Sequence, residues 1–195
     1  MRMLSEGAES KVFETSIFGR SAVVKVRQPK AYRIRELDEA LRRTRTRKEA
    51  KAMHKANIAG VRTPEIFAIG KFSIYMEKVP GKLLKDANDE GIDYGAIGMM
   101  LARMHNADVT HGDFTPANIV VGEEGICIID FGLSDVSNSI EDKAIDLLLM
   151  KRSISGENYH IMESAYRKES KNPEQIVLRL AEIEKRGRYQ IRTLA

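Results

Sequence analysis

Three oxygen-bearing side chains stand at fixed intervals in the middle of the chain. Asp113 and Asn118 lie five residues apart in His111-Gly-Asp-Phe-Thr-Pro-Ala-Asn118, and Asp130 follows twelve residues later in Asp130-Phe-Gly132. Two short apolar runs around a glycine-containing turn separate Asn118 from Asp130, which predicts a β-hairpin that brings them together. Carboxylate and amide oxygens bind hard cations, and phosphoryl transfer needs metal ligands for the nucleotide phosphates together with an acid that orients the attacking group. The sequence therefore predicts a phosphoryl-transfer site.

A lysine upstream completes this chemistry. Lys25 lies in a short apolar run with Ala22 and Val26, whose alternation can aim the lysine away from the core. A lysine is a suitable point charge for the α- and β-phosphates of a nucleotide, and an acidic partner must fix its position. Glu49 is the preferred partner because it lies on an apolar helical stripe, and Glu36 is the second choice.

Composition bounds the class of protein. The chain has 195 residues, of which 43% are hydrophobic and 31% are charged, which suits one compact unit or two small lobes around a cleft. The single cysteine, Cys127, excludes an internal disulfide framework and is expected to be a buried thiol in a reducing compartment. We find no apolar run long enough for a membrane span and no signal peptide, so we expect a cytoplasmic protein.

Positive charge is concentrated in one segment. Residues 27–55 contain eleven Lys or Arg against four acids, whereas the whole chain has a net charge of +4. Such a run is either a solvated helix face or a docking surface for nucleic acid or an acidic partner, and both interpretations stay open here. The candidate docking residues are Arg42, Arg43, Arg45 and Arg47, with Arg186 and Arg188 near the C-terminus.

The order of elements predicts an α+β fold. Candidate strands span 3–5, 11–17, 21–26, 65–69 and 72–77, and a long helix over 31–58 separates the third from the fourth. The first half of that helix carries an apolar stripe with Ile34, Leu37 and Leu41. The second half of the chain is mainly helical, with helix starts near Asp93, Ser139 and Pro173, and the last helix is expected to end near Gly187.

These motifs together resemble a protein kinase of very reduced size. Val23-Val24-Lys25 is similar to the strand with the phosphate-binding lysine, His111-Gly-Asp followed by Asn118 to the catalytic loop, and Asp130-Phe-Gly132 to the metal-binding motif. The resemblance implies a bilobal fold that binds ATP and Mg²⁺, with an N-lobe over 1–77, a C-lobe over 78–186 and a basic tail over 187–195. It also implies that Asp113 orients the acceptor hydroxyl and that Asn118 and Asp130 hold magnesium.

The same resemblance extends to the surrounding residues. Asp146 resembles the buried aspartate that braces the catalytic loop, and His111 is expected to shape that loop and not to transfer protons. The residues implied to bind ATP are Leu4, Ser5, Glu6, Gly7, Ala8, Glu9, Ser10, Lys11, Val12, Lys25 and Glu49, together with Met76, Glu77 and Val79 of the hinge.

A narrower resemblance is to the small atypical kinase subunit of the KEOPS/EKC complex, the p53-related protein kinase family. It rests on the single glycine of Leu4-Ser-Glu-Gly-Ala-Glu-Ser-Lys-Val12, on the arginine-rich helix, and on Lys185-Arg-Gly-Arg188. The resemblance implies a Ser/Thr kinase and ATPase that binds the ASKHA-fold catalytic subunit of a complex that makes the threonylcarbamoyl modification of adenosine in tRNA.

The sequence departs from that of ordinary kinases in ways that indicate which group accepts the phosphoryl group. Only about six residues separate Gly132 from the next helix, with no Ala-Pro-Glu motif, so the usual peptide platform is missing. Water, the protein's own hydroxyl groups or a docked partner is the expected acceptor. Two alternatives stay open: a small-molecule phosphotransferase of the aminoglycoside or choline kinase type, for whose acceptor pocket the chain leaves no space, and a nucleic-acid-binding scaffold. RIO kinases also lack the activation segment, but their metal motif departs from Asp-Phe-Gly.

Overall fold

The first half of the chain forms a five-stranded antiparallel sheet. In this computed structural model, which describes the backbone of residues 2–192 and the side chains of residues 2–186, the sheet has the order β1-β2-β3-β5-β4. The strands are β1 (Arg2–Glu6), β2 (Ser10–Ile17), β3 (Arg20–Arg27), β4 (Ile66–Ile69) and β5 (Ser73–Glu77). One long helix, α1 (Arg35–Ile58), connects β3 to β4.

The β2–β3 hairpin fixes the position of Lys25. A two-residue turn of Phe18 and Gly19 joins the strands, and both residues have a positive φ, 49° and 76°. Two positive φ values match the right-handed twist of the flanking strands, so the hairpin pairs without a bulge from Ile17↔Arg20 to Ser10↔Arg27. In this register Lys25 lies opposite Val12 on one side and Ile74 on the other.

Helix α1 begins later than the sequence predicted. The expected start at residue 31 is wrong, because the Arg33 N–H donates to the Lys30 carbonyl and forms a turn ahead of the helix. The apolar stripe predicted in the first half of the helix does not pack into the core, since Ile34 and Leu37 are 73% and 54% exposed. The second half packs as predicted, with Ala52, Met53 and Ala56 fully buried.

The second half of the chain is mainly helical, as predicted. It contains α2 (Tyr94–Asn106), α3 (Ile140–Lys151), α4 (Gly156–Glu169) and α5 (Pro173–Arg192). Short strands lie between the helices: β6 (Lys82–Leu83), β7 (Val109–Thr110), β8 (Ile119–Gly122), β9 (Gly125–Ile128) and β10 (Asp135–Val136). The side chains of Asp93, Ser139 and Ser155 accept backbone hydrogen bonds at the starts of α2, α3 and α4. Helix α5 continues past Gly187, where the sequence predicted its end.

The fold class is confirmed: the chain is α+β, with an antiparallel sheet and long helix followed by a mainly helical half. The residue boundaries assigned to the two lobes and the tail stay predictions. Cys127 is a buried free cysteine, and burial raises the pKa of its thiol to about 12. Among the helices that the structure describes, none combines the length and apolar character needed to cross a membrane.

A close helix–helix contact holds the second half together. Gly98 of α2 faces the backbone of α4, and a Cβ atom at this position would lie far inside van der Waals contact with the Met162 carbonyl oxygen. The backbones approach closely here because glycine has no side chain. The core around this contact includes the fully buried side chains of Leu101, Met162 and Tyr166.

We therefore predict that Gly98→Ala lowers the free energy of unfolding by about 1–3 kcal/mol, the usual cost of inserting a methyl group into a packed core. The matched control is Gly156→Ala at the start of α4, where a Cβ atom would meet nothing within 4 Å. Its free energy of unfolding should stay the same or rise by up to about 1 kcal/mol. Urea denaturation of both variants measures the difference, and equal stabilities would contradict the close approach of the two helices.

Candidate active site

The β8–β9 hairpin brings the metal-ligand candidates together. Ile119 pairs with Ile128 at its open end, and the Ile129 N–H donates to the Asn118 carbonyl at 2.9 Å. Asn118 and Asp130 flank this hydrogen bond, so the predicted return of the chain is confirmed. Asp130 itself has a φ of 57°, an unusual backbone conformation for a residue other than glycine.

Lys25 joins the two halves of the molecule. Its Nζ donates to Glu49 Oε1 on α1 and to Asp130 Oδ1 after β9, at 2.6 Å in both cases. Glu49 is buried and Glu36, the second-choice partner, is exposed. Burial alone would lower the pKa of Lys25, but the charges of Glu49 and Asp130 outweigh it and raise that pKa. Burial would likewise raise the pKa of Asp130, but Lys25 and the Gly132 N–H lower it. Both groups are therefore charged at neutral pH.

Gly132 allows this ion bridge to form. A Cβ atom on Gly132 would lie 2.9 Å from Asp130 Oδ1 and 3.0 Å from Lys25 Nζ. The Gly132 N–H also donates to Asp130 Oδ1 at 3.1 Å. Glycine is thus needed here for space, and its backbone helps to orient the carboxylate.

Arg27 is a site residue that the sequence analysis missed. Its Nη2 donates to Glu49 Oε2 at 2.5 Å, so the two carboxylate oxygens of Glu49 bind two different cations. Both Arg27 and Glu49 are almost fully buried. The spacing in the strand could have identified Arg27. Residues two apart in a strand point to the same face of the sheet, and Arg27 follows Lys25 by two positions.

Asp146 holds the backbone of the catalytic-loop segment. Its two carboxylate oxygens accept hydrogen bonds from the backbone N–H groups of His111 and Gly112, at 2.7 and 2.8 Å. Asp146 is fully buried, so these bonds are shielded from water. Gly112 has a φ of 77°, and a Cβ atom there would collide with the Leu133 carbonyl oxygen. A side chain such as arginine therefore does not fit at Gly112 in this conformation.

Both ring nitrogens of His111 are engaged within the loop. Nδ1 accepts from the Asp113 N–H at 3.3 Å, and Nε2 donates to the Ile129 carbonyl at 3.0 Å. The ring is fully buried and contacts the rings of Phe114 and Phe131. Neither nitrogen is free for proton transfer to a substrate, which agrees with a role in shaping the loop.

Asn118 and Asp130 offer a donor set that fits a magnesium ion. The Asn118 amide nitrogen donates to the carbonyl and carboxylate oxygens of Asp113, at 2.8 and 2.9 Å, which leaves the amide oxygen as a ligand. Asp130 Oδ2 has no protein partner among the described residues. Since no cluster of three or more His, Cys, Asp or Glu occurs in the described part of the chain, phosphate and water oxygens would complete the octahedron that Mg²⁺ requires.

Two adjoining cavities surround these residues. A cavity of about 440 Å³ lies between the sheet and the second half, and its walls include Asn118 and Asp130. The residues predicted to bind ATP that line it are Leu4, Ser5, Val12, Lys25, Glu49, Met76, Glu77 and Val79. A cavity of about 220 Å³ under the β1–β2 loop is lined by Gly7, Ala8, Glu9, Ser10, Lys25, Arg27, Asp113 and Asp130. Glu6 and Lys11 line neither cavity and form an ion pair with each other at 2.9 Å.

A third, open cleft lies beside the catalytic-loop segment. It has a volume of about 670 Å³, and its walls include Thr115, Ala117, Tyr94 and Ser153. Ala117 is also part of the wall of the 440 Å³ cavity. The turn between α3 and α4 and the segment before α2 form other parts of its wall. A cleft of this size is present, and the expectation that the chain leaves no space for an acceptor pocket stays a prediction.

The predicted basic surface is divided in the structure. Arg42 donates to Asp38 at 2.6 Å and stacks on the Phe72 ring, while Arg45 donates to Glu9 of the β1–β2 loop. Arg43 and Arg47 are exposed. Arg186 is mostly exposed and lies 3.9 Å from Glu141, whereas the side chain of Arg188 lies outside the described residues.

Comparison with known proteins assigns this architecture to a class. The family model of the RIO domain matches residues 11–151, which include Lys25, Asp113 and Asp130. The fold and the site thus define a protein-kinase-like chain of the RIO-domain class. The metal motif that the sequence analysis used to set RIO kinases apart does not separate the chain from this class.

Curated relatives identify the family more closely. The chain is 36% identical to the probable serine/threonine-protein kinase Bud32 homolog of Archaeoglobus fulgidus, over 93% of this chain and 92% of the relative. It is 32% identical to the EKC/KEOPS complex subunit bud32 of Dictyostelium discoideum, over 95% and 82%. The chain therefore belongs to the Bud32 family, and the resemblance inferred from the sequence is confirmed.

A further relative is a longer protein. The chain is 38% identical to the probable bifunctional tRNA threonylcarbamoyladenosine biosynthesis protein of Methanobrevibacter smithii, over 96% of this chain and 36% of that protein. The chain thus spans about a third of the length of this relative.

Solved structures agree on the fold. The Rio2 kinase from Chaetomium thermophilum, in its ADP/Mg²⁺-phosphoaspartate complex, aligns with a TM-score of 0.63 and 19% identity over 93% of this chain and 66% of that one. Macrolide 2′-phosphotransferase MphH from Brachybacterium faecium aligns with a TM-score of 0.66 and 15% identity over 100% and 86%. At these identities the likeness concerns the fold alone.

The hydrogen bonds of Asp146 continue into the core through His105. Its Nε2 donates to Asp146 Oδ2 at 3.2 Å, and its Nδ1 accepts from the Tyr166 hydroxyl at 2.8 Å. Burial lowers the pKa of His105 below its ordinary value despite the neighbouring carboxylate. Because unfolding releases a histidine that takes up a proton at higher pH than the folded one, stability decreases as the pH falls below about 6.5.

We predict that His105→Gln reduces the loss of unfolding free energy between pH 7.5 and 5.5, by up to about 1.4 kcal/mol per pH unit in the titration range. His160→Gln is the matched control because His160 is exposed. Urea denaturation at the two pH values measures the change. A loss in His105→Gln as large as that of the wild type would contradict a neutral buried His105.

Proposed function

We propose that this chain binds Mg-ATP in the 440 Å³ cavity and acts as an atypical Ser/Thr protein kinase and ATPase of a KEOPS-type complex, which supports the threonylcarbamoyl-adenosine modification of tRNA. The observation that carries the proposal is the Lys25 ion bridge to Glu49 and Asp130, at 2.6 Å on both sides. This bridge sets a phosphate-binding cation beside a carboxylate suited to a metal, in a cavity of the right size for a nucleotide.

Each residue would contribute a separate part of the chemistry. Lys25 holds the α- and β-phosphates, and Glu49 keeps its ammonium group in place. Asn118 and Asp130 hold Mg²⁺, which, when bound, neutralises charge on the phosphates. Asp113 accepts a hydrogen bond from Asn118 through one carboxylate oxygen, which leaves the other to orient the attacking hydroxyl. The hinge residues Met76, Glu77 and Val79 lie along the wall of the cavity that would receive adenine.

The acceptor is proposed to be water, a hydroxyl of the protein itself or a docked partner. The segment after Gly132 is short, and β10 within it pairs with β7, so it has no extended surface on which a free peptide could lie. Leu133 in this segment is 68% exposed and lines the same cavity as Asp113. An acceptor delivered by a larger partner fits this geometry better than a free peptide does.

The proposed partners follow from the names of the relatives. One relative is named as an EKC/KEOPS subunit, and another carries the same segment within a bifunctional tRNA threonylcarbamoyladenosine biosynthesis protein. We propose that this chain binds the ASKHA-fold catalytic subunit and, directly or through the complex, tRNA, and that it works in the cytoplasm. The exposed Arg43 and Arg47 are among the residues of the basic helix available for such contacts.

A small-molecule phosphotransferase is the second candidate, because the open cleft of about 670 Å³ shares Ala117 with the nucleotide cavity. Measuring ADP formation and phosphate release in parallel, with and without aminoglycosides, macrolides and choline, distinguishes the two functions, because transfer to a compound forms ADP without free phosphate. Stoichiometric phosphorylation of one of these compounds would favour the second. The nucleic-acid-binding scaffold is disfavoured as the whole function by the complete set of Lys25, Asp113, Asn118 and Asp130.

We predict that Asp130→Ala abolishes Mg-ATP turnover, because a metal ligand and the partner of Lys25 are both removed. Asp113→Ala should leave ATP affinity within a few-fold of the wild type and lower the turnover rate by about 10²–10⁴-fold, the usual contribution of a positioned acid or base. Calorimetric titration with ATP and a phosphate-release assay measure the two quantities separately.

Asp86→Ala is the matched control, since Asp86 is an exposed carboxylate away from the cavity. Its affinity and turnover should equal those of the wild type. Wild-type turnover in Asp130→Ala, or an equal loss of binding and turnover in Asp113→Ala, would contradict the assigned roles.

We also predict that Arg43→Gln with Arg47→Gln weakens tRNA binding and makes its salt dependence shallower. The slope of log K against log salt should fall by about 0.7–0.9 for each tRNA phosphate that the variant no longer neutralises. The control is Arg152→Gln with Lys168→Gln, which removes the same charge from exposed positions of the second half. Filter binding between low and physiological salt measures both slopes. Equal slopes for the two double variants would contradict a tRNA-binding role and would mean that Arg43 and Arg47 are only part of a solvated helix face.

A further inference from the structure

Arg27 is a buried residue of the site to which none of the kinase-like motifs assigns a role. It lies two positions after Lys25 on β3, and its side chain is 5% exposed. An arginine is rarely buried to this degree without ionic partners, because its charge must be compensated. Arg27 therefore has a specific role in this part of the molecule.

Arg27 has one strong partner and one weak partner. Its Nη2 forms a 2.5 Å hydrogen bond with Glu49, whereas its Nη1 lies 3.6 Å from Glu9 Oε2 without a hydrogen bond. Glu9 belongs to the β1–β2 loop and is held primarily by a hydrogen bond from Arg45, which also lowers the pKa of Glu9. One side of the Arg27 guanidinium is thus fixed, and the other has donors available for an anion.

Arg27 borders the phosphate end of the site. Arg27 lines the 220 Å³ cavity under the β1–β2 loop, together with Lys25, Asp113 and Asp130. These are the residues assigned above to the phosphates, the acceptor and the metal. If ATP binds in the adjoining cavity with its adenine at the hinge, its terminal phosphate enters this smaller cavity.

The glycine of the β1–β2 loop does not offer its amide to a ligand. Its single glycine donates its N–H to the Ser10 carbonyl at 2.9 Å, so this amide is used within the turn. The Gln28 N–H donates to the Glu9 carbonyl at 3.0 Å, which ties the loop to the end of β3. In glycine-rich phosphate loops the backbone N–H groups cradle the phosphates. Here the glycine amide is occupied, and a side-chain donor that lines the same cavity would compensate for it.

We propose that Arg27 is a second phosphate-binding cation, which contacts the terminal phosphate of ATP while Glu49 holds its other side. The proposal rests on the proposed function and adds a residue to it. A guanidinium suits this position because its planar set of donors can bind a carboxylate and a phosphate at once. Glu9 competes with the phosphate for Arg27, and it retains Arg45 when the phosphate displaces it.

The test compares affinities for ATP, ADP and AMP, each with Mg²⁺, by calorimetric titration. For Arg27→Met we expect the affinity for ATP to fall by about ten- to hundredfold, the range for losing a hydrogen bond between charged groups. ADP should lose less, and AMP should be unchanged. Arg27→Lys should recover part of the loss, since it restores the charge but not the second set of donors. Arg152→Met, at an exposed position of the second half of the chain, is the matched control and should bind all three nucleotides as the wild type does.

A second variant tests the competitor. Glu9→Gln should raise the affinity for ATP by up to about fivefold, because removing a competing, partly exposed anion is worth about as much as a surface ion pair. Its affinity for AMP should not change. This variant and Arg27→Lys keep a cation beside Glu49 Oε2, so they carry the test if Arg27→Met fails to fold.

Four outcomes separate the inferences. Equal losses of ATP, ADP and AMP binding in Arg27→Met and Arg27→Lys would overturn the proposal and make Arg27 only a structural partner of Glu49. An unchanged or lowered ATP affinity in Glu9→Gln would overturn the competition with Glu9. A wild-type chain that binds no Mg-ATP would overturn the proposed function and this inference with it, whereas ATP binding that is independent of Arg27 would overturn this inference alone.

Discussion

The structure depends on one ionic bridge, in which the buried Lys25 binds the buried Glu49 and the half-exposed Asp130 at the same time. Lys25 comes from the sheet, Glu49 from the long helix and Asp130 from the end of a hairpin in the second half. Three elements that are distant in sequence must therefore be packed together before the site exists. Breaking a buried ion pair by removing one partner typically costs about 3–5 kcal/mol, because the remaining charge is left uncompensated. The same bridge thus supports the chemistry and the docking of the two halves.

A continuous series of ionic contacts connects the sheet, the β1–β2 loop and α1. Arg27 extends the bridge to the β1–β2 loop, and Arg45 connects that loop back to α1 through Glu9. The basic segment of the sequence is consequently not a uniform surface. Part of its charge fixes the loop above the phosphate site, and part of it, at Arg43 and Arg47, remains exposed. A substitution in this segment can therefore affect nucleotide binding, partner binding or both, depending on the face of the helix on which it lies.

Short-range features of the structure could be predicted from the sequence, whereas features set by packing could not. Alternation and turn residues identify the β2–β3 and β8–β9 hairpins, because their signals lie within a few residues. The preference for Glu49 over Glu36 also agrees with the structure, since a residue beside Ala52 and Met53 shares their buried face. The stripe of Ile34 and Leu37 failed because periodicity shows only that one face is apolar, not that another element covers it. Arg27 was missed because the sequence does not distinguish a buried arginine from a surface one until its partners are known. Glu6 and Lys11 were included among the predicted ATP-binding residues only because they lie next to the loop in the sequence.

The hydrogen bonds from Asp146 through His105 to Tyr166 determine how much of the chain is needed to keep the site folded. They link the segment before Asp113 to α4, and Gly98 packs α2 directly on the same helix. The matched RIO domain ends at residue 151, before α4 begins at Gly156. A fragment cut at that limit would contain every proposed catalytic side chain but would lack the hydroxyl group that orients His105 and the helix against which α2 packs. The smallest fragment able to maintain the site therefore extends through α4, well past the segment that the motifs define.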